Sequence, residues 1–196
     1  PACAASTSAM RAASYHVVRS GATTVLLVSP HTPRRLSAFS FFAGGNLRGD
    51  FHAFGVHGLE AAFPGDAEAC RAVARGAAEG GISLEPLNAS LDHGALVPLW
   101  FLREAGYQGT VAVFGFPGHG NSRHCRAFGG AMARAMAGLD RPWAFIASGD
   151  MSHALAPGAP GGFHPRADEF DRAVVDRVQA GRLGDVSAIS PQLQDL

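Results

Sequence analysis

Nine histidines, and basic residues that are all arginine, carry most of the chemistry open to this 196-residue chain. Three of the histidines stand in turn-forming contexts beside apolar segments: His31 in S-P-H-T-P, His93 in L-D-H-G and His153 in S-G-D-M-S-H. A neutral imidazole ligates iron, zinc and other transition metals, and it also carries protons near neutral pH. His31, between two prolines, reads as a metal ligand on a stiffened loop or as a loop histidine bonded only to backbone. His93 reads as an acid–base or substrate-orienting group polarised by Asp92, or as an exposed neighbour of a helix cap. His153 reads as a general acid–base, with Gly149 permitting close approach of a substrate and Asp150 orienting the ring, or as part of a polar turn. Asp92 and Asp150 are thus candidate substrate-binding carboxylates. His52 and His57 are five residues apart, which is not a helical ligand spacing, and His119 and His124 flank a glycine-rich turn, so all four read as solvent-facing. His164, in G-F-H-P, suits a pocket lip.

The composition removes several alternatives. Without a lysine there is no Schiff base and no phosphate-loop ammonium. Acidic and basic residues balance at 16 each, which gives no electrostatic case for nucleic acid or an anionic membrane. Cys3, Cys70 and Cys125 are odd in number and widely spaced, unlike a disulfide framework or a zinc knuckle, and a reducing cytoplasm is the simpler expectation. No run approaches the roughly 20 apolar residues of a membrane span, and no signal-peptide layout opens the chain. The length suits a single domain over 1–196 that lacks terminal segments of its fold, since the chain starts at Pro1. A homo-oligomer stays open.

The elements that must position these residues alternate. A helix is expected over 6–20, a buried strand over 23–29 and a long loop region over 31–64 with at most one edge strand. Asp66 caps an Ala-rich helix, a weak strand follows near 82–84, and L-D-H-G feeds a helix that ends at Gly106. A strand over 110–116, a helix over about 121–138, a strand over 142–150 and a helix from Arg166 complete the pattern. Alternation of this kind predicts a three-layer α/β/α sandwich around a mostly parallel or mixed sheet. Its reactive groups belong on loops beyond the carboxyl ends of the strands, where His31, His93 and His153 fall, and one pocket formed by their loops is expected.

The combination S-P-H-T-P, L-D-H-G-A-L-V-P-L and A-S-G-D-M-S-H, in that order, resembles the signature sites of the catalytic B subunit of class III extradiol ring-cleavage dioxygenases (LigB-like). The related Memo-like branch shares that fold without being known for ring cleavage. The resemblance covers roughly residues 23–176. It implies a site of two histidines and one carboxylate for non-haem Fe(II), with positions left for a catechol-type aromatic diol and dioxygen. By the same resemblance His31 is an iron ligand, His153 the acid–base histidine, and His93 the histidine that orients substrate or peroxide.

The family takes a further histidine ligand from a short turn upstream of the helix that precedes His31. In this sequence that region is Pro1-Ala2-Cys3, either a remnant of the turn with Cys3 as a thiolate ligand or an unrelated tail. The carboxylate ligand is expected near the C-terminus of the fold, where Asp195 lies closest, while Glu169 and Asp171 read as solvated helix charges. Three readings follow: a dioxygenase, a relative with a degenerate or different metal site that binds a small molecule or a protein partner, and, behind these, a metal-dependent hydrolase.

Overall fold

A computed structural model of the chain describes residues 3–194; Pro1, Ala2 and Asp195 lie outside the described residues. The chain forms two compact units, Pro1–Gly149 and Asp150–Leu196.

The first unit runs α1 (Ala4–Arg19), β1 (Thr24–Ser29), β2 (Phe39–Phe42), β3 (Asn46–Asp50), β4 (Glu60–Pro64), α2 (Ala67–Glu79), β5 (Leu84–Leu87), α3 (His93–Glu104), β6 (Thr110–Gly115), α4 (Ser122–Ala137) and β7 (Trp143–Ala147). Five strands form the central sheet in the order β5-β2-β6-β1-β7. β1 pairs in parallel with β6 and β7, and β2 pairs in parallel with β5 but antiparallel with β6, so the sheet is mixed.

Alternation along β1 builds two cores. Val25 and Leu27 face one side with Leu96, Leu99 and Leu102 of α3, whereas Leu26 and Val28 face the other with Val73 of α2 and Phe128 and Met132 of α4. The period-two pleat thus gives the three-layer α/β/α sandwich expected from the sequence. Every residue of β1 is buried, and each large apolar side chain so placed contributes about 1.5–3 kcal/mol relative to exposure.

The region 31–64 differs from expectation, since it holds three strands rather than one edge strand. β2 is only four residues long yet lies inside the sheet, with Phe39, Ser40 and Phe42 buried. β3 and β4 form a separate antiparallel hairpin in which Leu47, Ala61 and Phe63 point into the core beneath α3. Strands of four or five residues flanked by glycine carry too few periods for the alternation to stand out. The strand expected near 82–84 lies at Leu84–Leu87, on the sheet edge, where Pro86 removes no ladder bond between two partners.

Asp66 and Asp92 cap α2 and α3 as expected, each accepting from the amide three residues on. The second unit contains α5 (Ala167–Gln179), a 3-10 stretch Leu183–Ala188 and the short α6 (Pro191–Gln194). Asp171 is not merely a solvated charge, for its carboxylate accepts from the Ser152 amide at 2.8 Å and ties α5 to the segment bearing His153. Glu169 is held by Arg166 at 2.9 Å. Among the described residues no helix is long and apolar enough to cross a membrane.

Candidate functional site

The carboxyl end of β1 brings His31 and His93 together. His31 lies two residues beyond Ser29, the last residue of β1, and His93 opens α3; their rings are 4.1 Å apart, centroid to centroid, and tilted by 33°. Asp92 makes this approach possible. Its Oδ1 accepts from the Ser29 hydroxyl at 2.5 Å and from the Ala95 amide at 3.1 Å, and its Oδ2 accepts from the Thr32 hydroxyl at 2.8 Å. One carboxylate therefore joins the end of β1, the loop carrying His31 and the first turn of α3. Pro98 strengthens the need for that cap, since it removes the amide that would reach back to the Gly94 carbonyl.

Gly94 is as much part of the arrangement as the histidines. A Cβ there would come within 2.5 Å of the Ser29 hydroxyl and 3.0 Å of the His31 ring. The glycine that follows His93 is thus a requirement of close packing, as is Gly115 at the end of β6, where a Cβ would meet Thr32 at 2.5 Å and the Ser40 hydroxyl at 2.7 Å. Phe54 completes the surroundings of His93, edge-on at 4.9 Å.

His153 and Asp150 belong to the second unit. The His153 Nε2 and an Asp150 carboxylate oxygen lie 2.5 Å apart, both side chains about half exposed. The Gly161 amide donates to the His153 carbonyl at 2.8 Å, and the His164 amide to the Ala154 carbonyl at 2.9 Å, so a turn closed on itself presents the pair.

The other sequence candidates fall elsewhere. Cys3 is exposed at the start of α1, where its carbonyl accepts from the Thr7 amide. His52 and His57 do meet, at 5.2 Å between ring centres, with His52 also 3.5 Å from Asp50. Ser29, Thr32, Gly94 and Phe54 were not singled out in the sequence. Ser29 and Thr32 flank His31 in S-P-H-T, and that spacing, two hydroxyls around a turn, was the available signal.

An iron site of two histidines and one carboxylate needs three donors converging on one ion. His31 and His93 supply two imidazoles, but the neighbouring carboxylate, Asp92, has both oxygens engaged by Ser29, Thr32 and Ala95. Among the described residues no group of three His, Cys, Asp or Glu side chains could hold a metal ion. The described donors therefore do not by themselves fit the ion.

At the opposite end of the sheet a second network gathers on Asp66, and of its members the buried Arg141 Nε is left without a hydrogen-bond partner. Asp66 accepts from the hydroxyls of Thr24 and Thr110, the Ala69 amide and the Arg141 guanidinium, which reaches both oxygens at 3.0 and 2.9 Å. Burial alone would raise its carboxyl, but the hydrogen bonds from Thr110, Ala69 and Thr24, with the charge of Arg141, outweigh burial and hold it below the usual range.

An α/β sandwich with paired histidines at the carboxyl end of a buried strand, β1, defines a class in which loops beyond the sheet carry the reactive groups. A family model described as the catalytic LigB subunit of aromatic ring-opening dioxygenase matches residues 3–195, and the chain belongs to that family. Dioxygenases of this family act on aromatic compounds with oxygen and are in general non-haem iron enzymes, and the family also contains members that are not enzymes. A curated protein of Clostridium acetobutylicum, Protein CA_C1420, is 30% identical over 99 residues, which is 50% of this chain and 21% of that protein. The match thus spans about a fifth of the relative's length.

Proposed function

We propose that the chain binds a catechol-type aromatic diol at the His31–His93 pair as part of an Fe(II)-dependent extradiol ring cleavage. The observation that carries this reading is the 4.1 Å approach of the two imidazoles, on the two motifs that resemble the family's site. Each ring nitrogen donates or accepts a hydrogen bond according to its tautomer, so adjacent imidazoles are suited to orient adjacent hydroxyls. Phe54 gives an apolar edge against which an aromatic ring can rest. By the resemblance His153, whose ring Asp150 holds, is an acid–base histidine. The Asp92 carboxylate positions the pair. His31 is the ligand the motif offers to iron, and the ion requires donors beyond those described.

A second reading, a diol-binding protein of the family without ring cleavage, is favoured by the full engagement of Asp92. Anaerobic Fe(II) titration of the protein, followed by oxygen uptake with a panel of catechols, separates the two. Stoichiometric Fe(II) and ring-opened product are the expected results. Catechol binding by a folded protein that takes up no Fe(II) would transfer the conclusion to the second reading.

A further inference from the structure

The segment between β3 and β4 does more than connect two strands. From Phe51 to Leu59 it runs alongside α3 and leaves a groove of about 450 Å³, a size suited to a small molecule, lined by Phe51, Val56, Leu59, Val97, Trp100 and Phe101. Large apolar side chains at its mouth face solvent: Val56 is 40%, Leu59 41% and Val97 38% exposed. Contiguous exposure of this kind on one concave surface marks a binding site more often than a surface accident.

The groove lies on the face of α3 that also carries His93. Val97 is one helical turn beyond His93, and Trp100 and Phe101 stand one turn further along α3. The segment follows the same course, for Phe54 meets the His93 ring edge-on at 4.9 Å and Phe51 meets Trp100 edge-on at 6.1 Å. Along the helix axis, His93 to Trp100 is a rise of about 10 Å. At the far end the lining turns polar, with the Trp100 indole N–H donating to Glu104 at 3.1 Å and the Arg103 guanidinium 4.0 Å from the Trp100 ring centre. An occupant anchored at His93 is therefore apolar over that length and stops at Glu104.

We propose that the groove between the 51–59 segment and α3 receives an apolar substituent, reaching about 10 Å from the ring, of the aromatic diol held at His31 and His93. The inference rests on the diol reading above. Substrates with compact polar substituents leave this surface wet, and substrates with alkyl or aryl arms cover it.

Calorimetric binding of catechol and of catechols carrying ethyl, butyl and hexyl chains para to one hydroxyl tests this directly. Affinity should rise about twofold to fourfold per methylene up to hexyl, from the apolar area covered. The double variant Leu59→Asn, Val97→Asn, altered only at exposed positions, should flatten that series while leaving binding of catechol itself unchanged. His93→Ala should weaken every member by the same factor. A flat series with measurable catechol binding overturns the groove and leaves the diol reading intact. Equal binding of hexylbenzene and the hexyl catechol, unaffected by His93→Ala, overturns the diol reading and this inference with it. Concentration-dependent self-association abolished by the double variant and indifferent to the hexyl catechol also overturns it, giving the groove to a second copy of the chain.

Discussion

The Asp92 carboxylate, one residue before α3, accepts a hydrogen bond of 2.5 Å from the hydroxyl of Ser29, the last residue of β1. Strand, loop and helix are thereby fixed to one another through a single side chain, and the spacing of His31 and His93 depends on it. Asp92→Asn keeps an acceptor at one position but sets an amide N–H₂ against a hydroxyl or against the Ala95 amide. A loss of about 1–3 kcal/mol is expected from one charge-assisted bond replaced by a mismatch. Urea unfolding measures it, and an unchanged midpoint would show that the clamp contributes nothing to the fold.

Gly94→Ala should be destabilising by about 1–3 kcal/mol, the usual cost of an inserted methyl in a packed site, because its Cβ would lie 2.5 Å from the Ser29 hydroxyl. Catechol affinity should fall with it, as the His31 ring is displaced. Gly129→Ala, in α4 with nothing within 4 Å of the added carbon, should instead stabilise by about 0.5–1 kcal/mol. Thermal melts of the two variants should therefore move in opposite directions.

Asp66 makes stability sensitive to acid. Its folded pKa lies below the ordinary value of 3.8, so the folded chain holds the ionised form where the unfolded chain has begun to protonate. Its contribution is complete above the unfolded value and is lost as pH falls through the lower, folded value. Asp66→Asn should remove that part of the acid limb and also lower stability at neutral pH, by leaving Arg141 without its main partner. Unfolding midpoints of both proteins between pH 6 and pH 2 check the sign; parallel curves would remove Asp66 as the cause.

The cysteines should separate by reactivity. Cys70 is buried, and burial, with the nearby charge of Asp66, pushes its thiol up to about 12, while burial raises Cys125 as well. Cys3 is exposed. Iodoacetamide at mildly alkaline pH should label Cys3 first and reach Cys70 only on unfolding, as peptide mass mapping would record.

Much of this was legible in the sequence, for reasons that differ by element. β1 and β6 stand out because four consecutive apolar residues in each, Val25 to Val28 and Val111 to Phe114, are buried on both faces and leave an unbroken run. Asp66 and Asp92 could be read as caps because an N-cap is a local device. β2, β3 and β4 were hidden, since each is four or five residues long and is stabilised by distant partners such as Gly115 and Leu96. His31 and His93 could be nominated from their motifs, but their contact could not, because 62 positions of chain separate them and the carboxylate that joins them also reads as a plain cap. The meeting of His52 with His57 was invisible for the opposite reason, a five-residue spacing that suits no regular element and needs the turn at Phe54 and Gly55 to close.

Asp66 binds Thr24 at one end of β1 and Asp92 binds Ser29 at the other, five residues and roughly 17 Å apart. The strand is therefore moored twice, and the two moorings share no residue. For anyone re-engineering this scaffold, the Thr24 end is a foundation to be left alone, and the loops beyond Ser29 can be rebuilt for new ligands only where Thr32 and Asp92 keep their bonds.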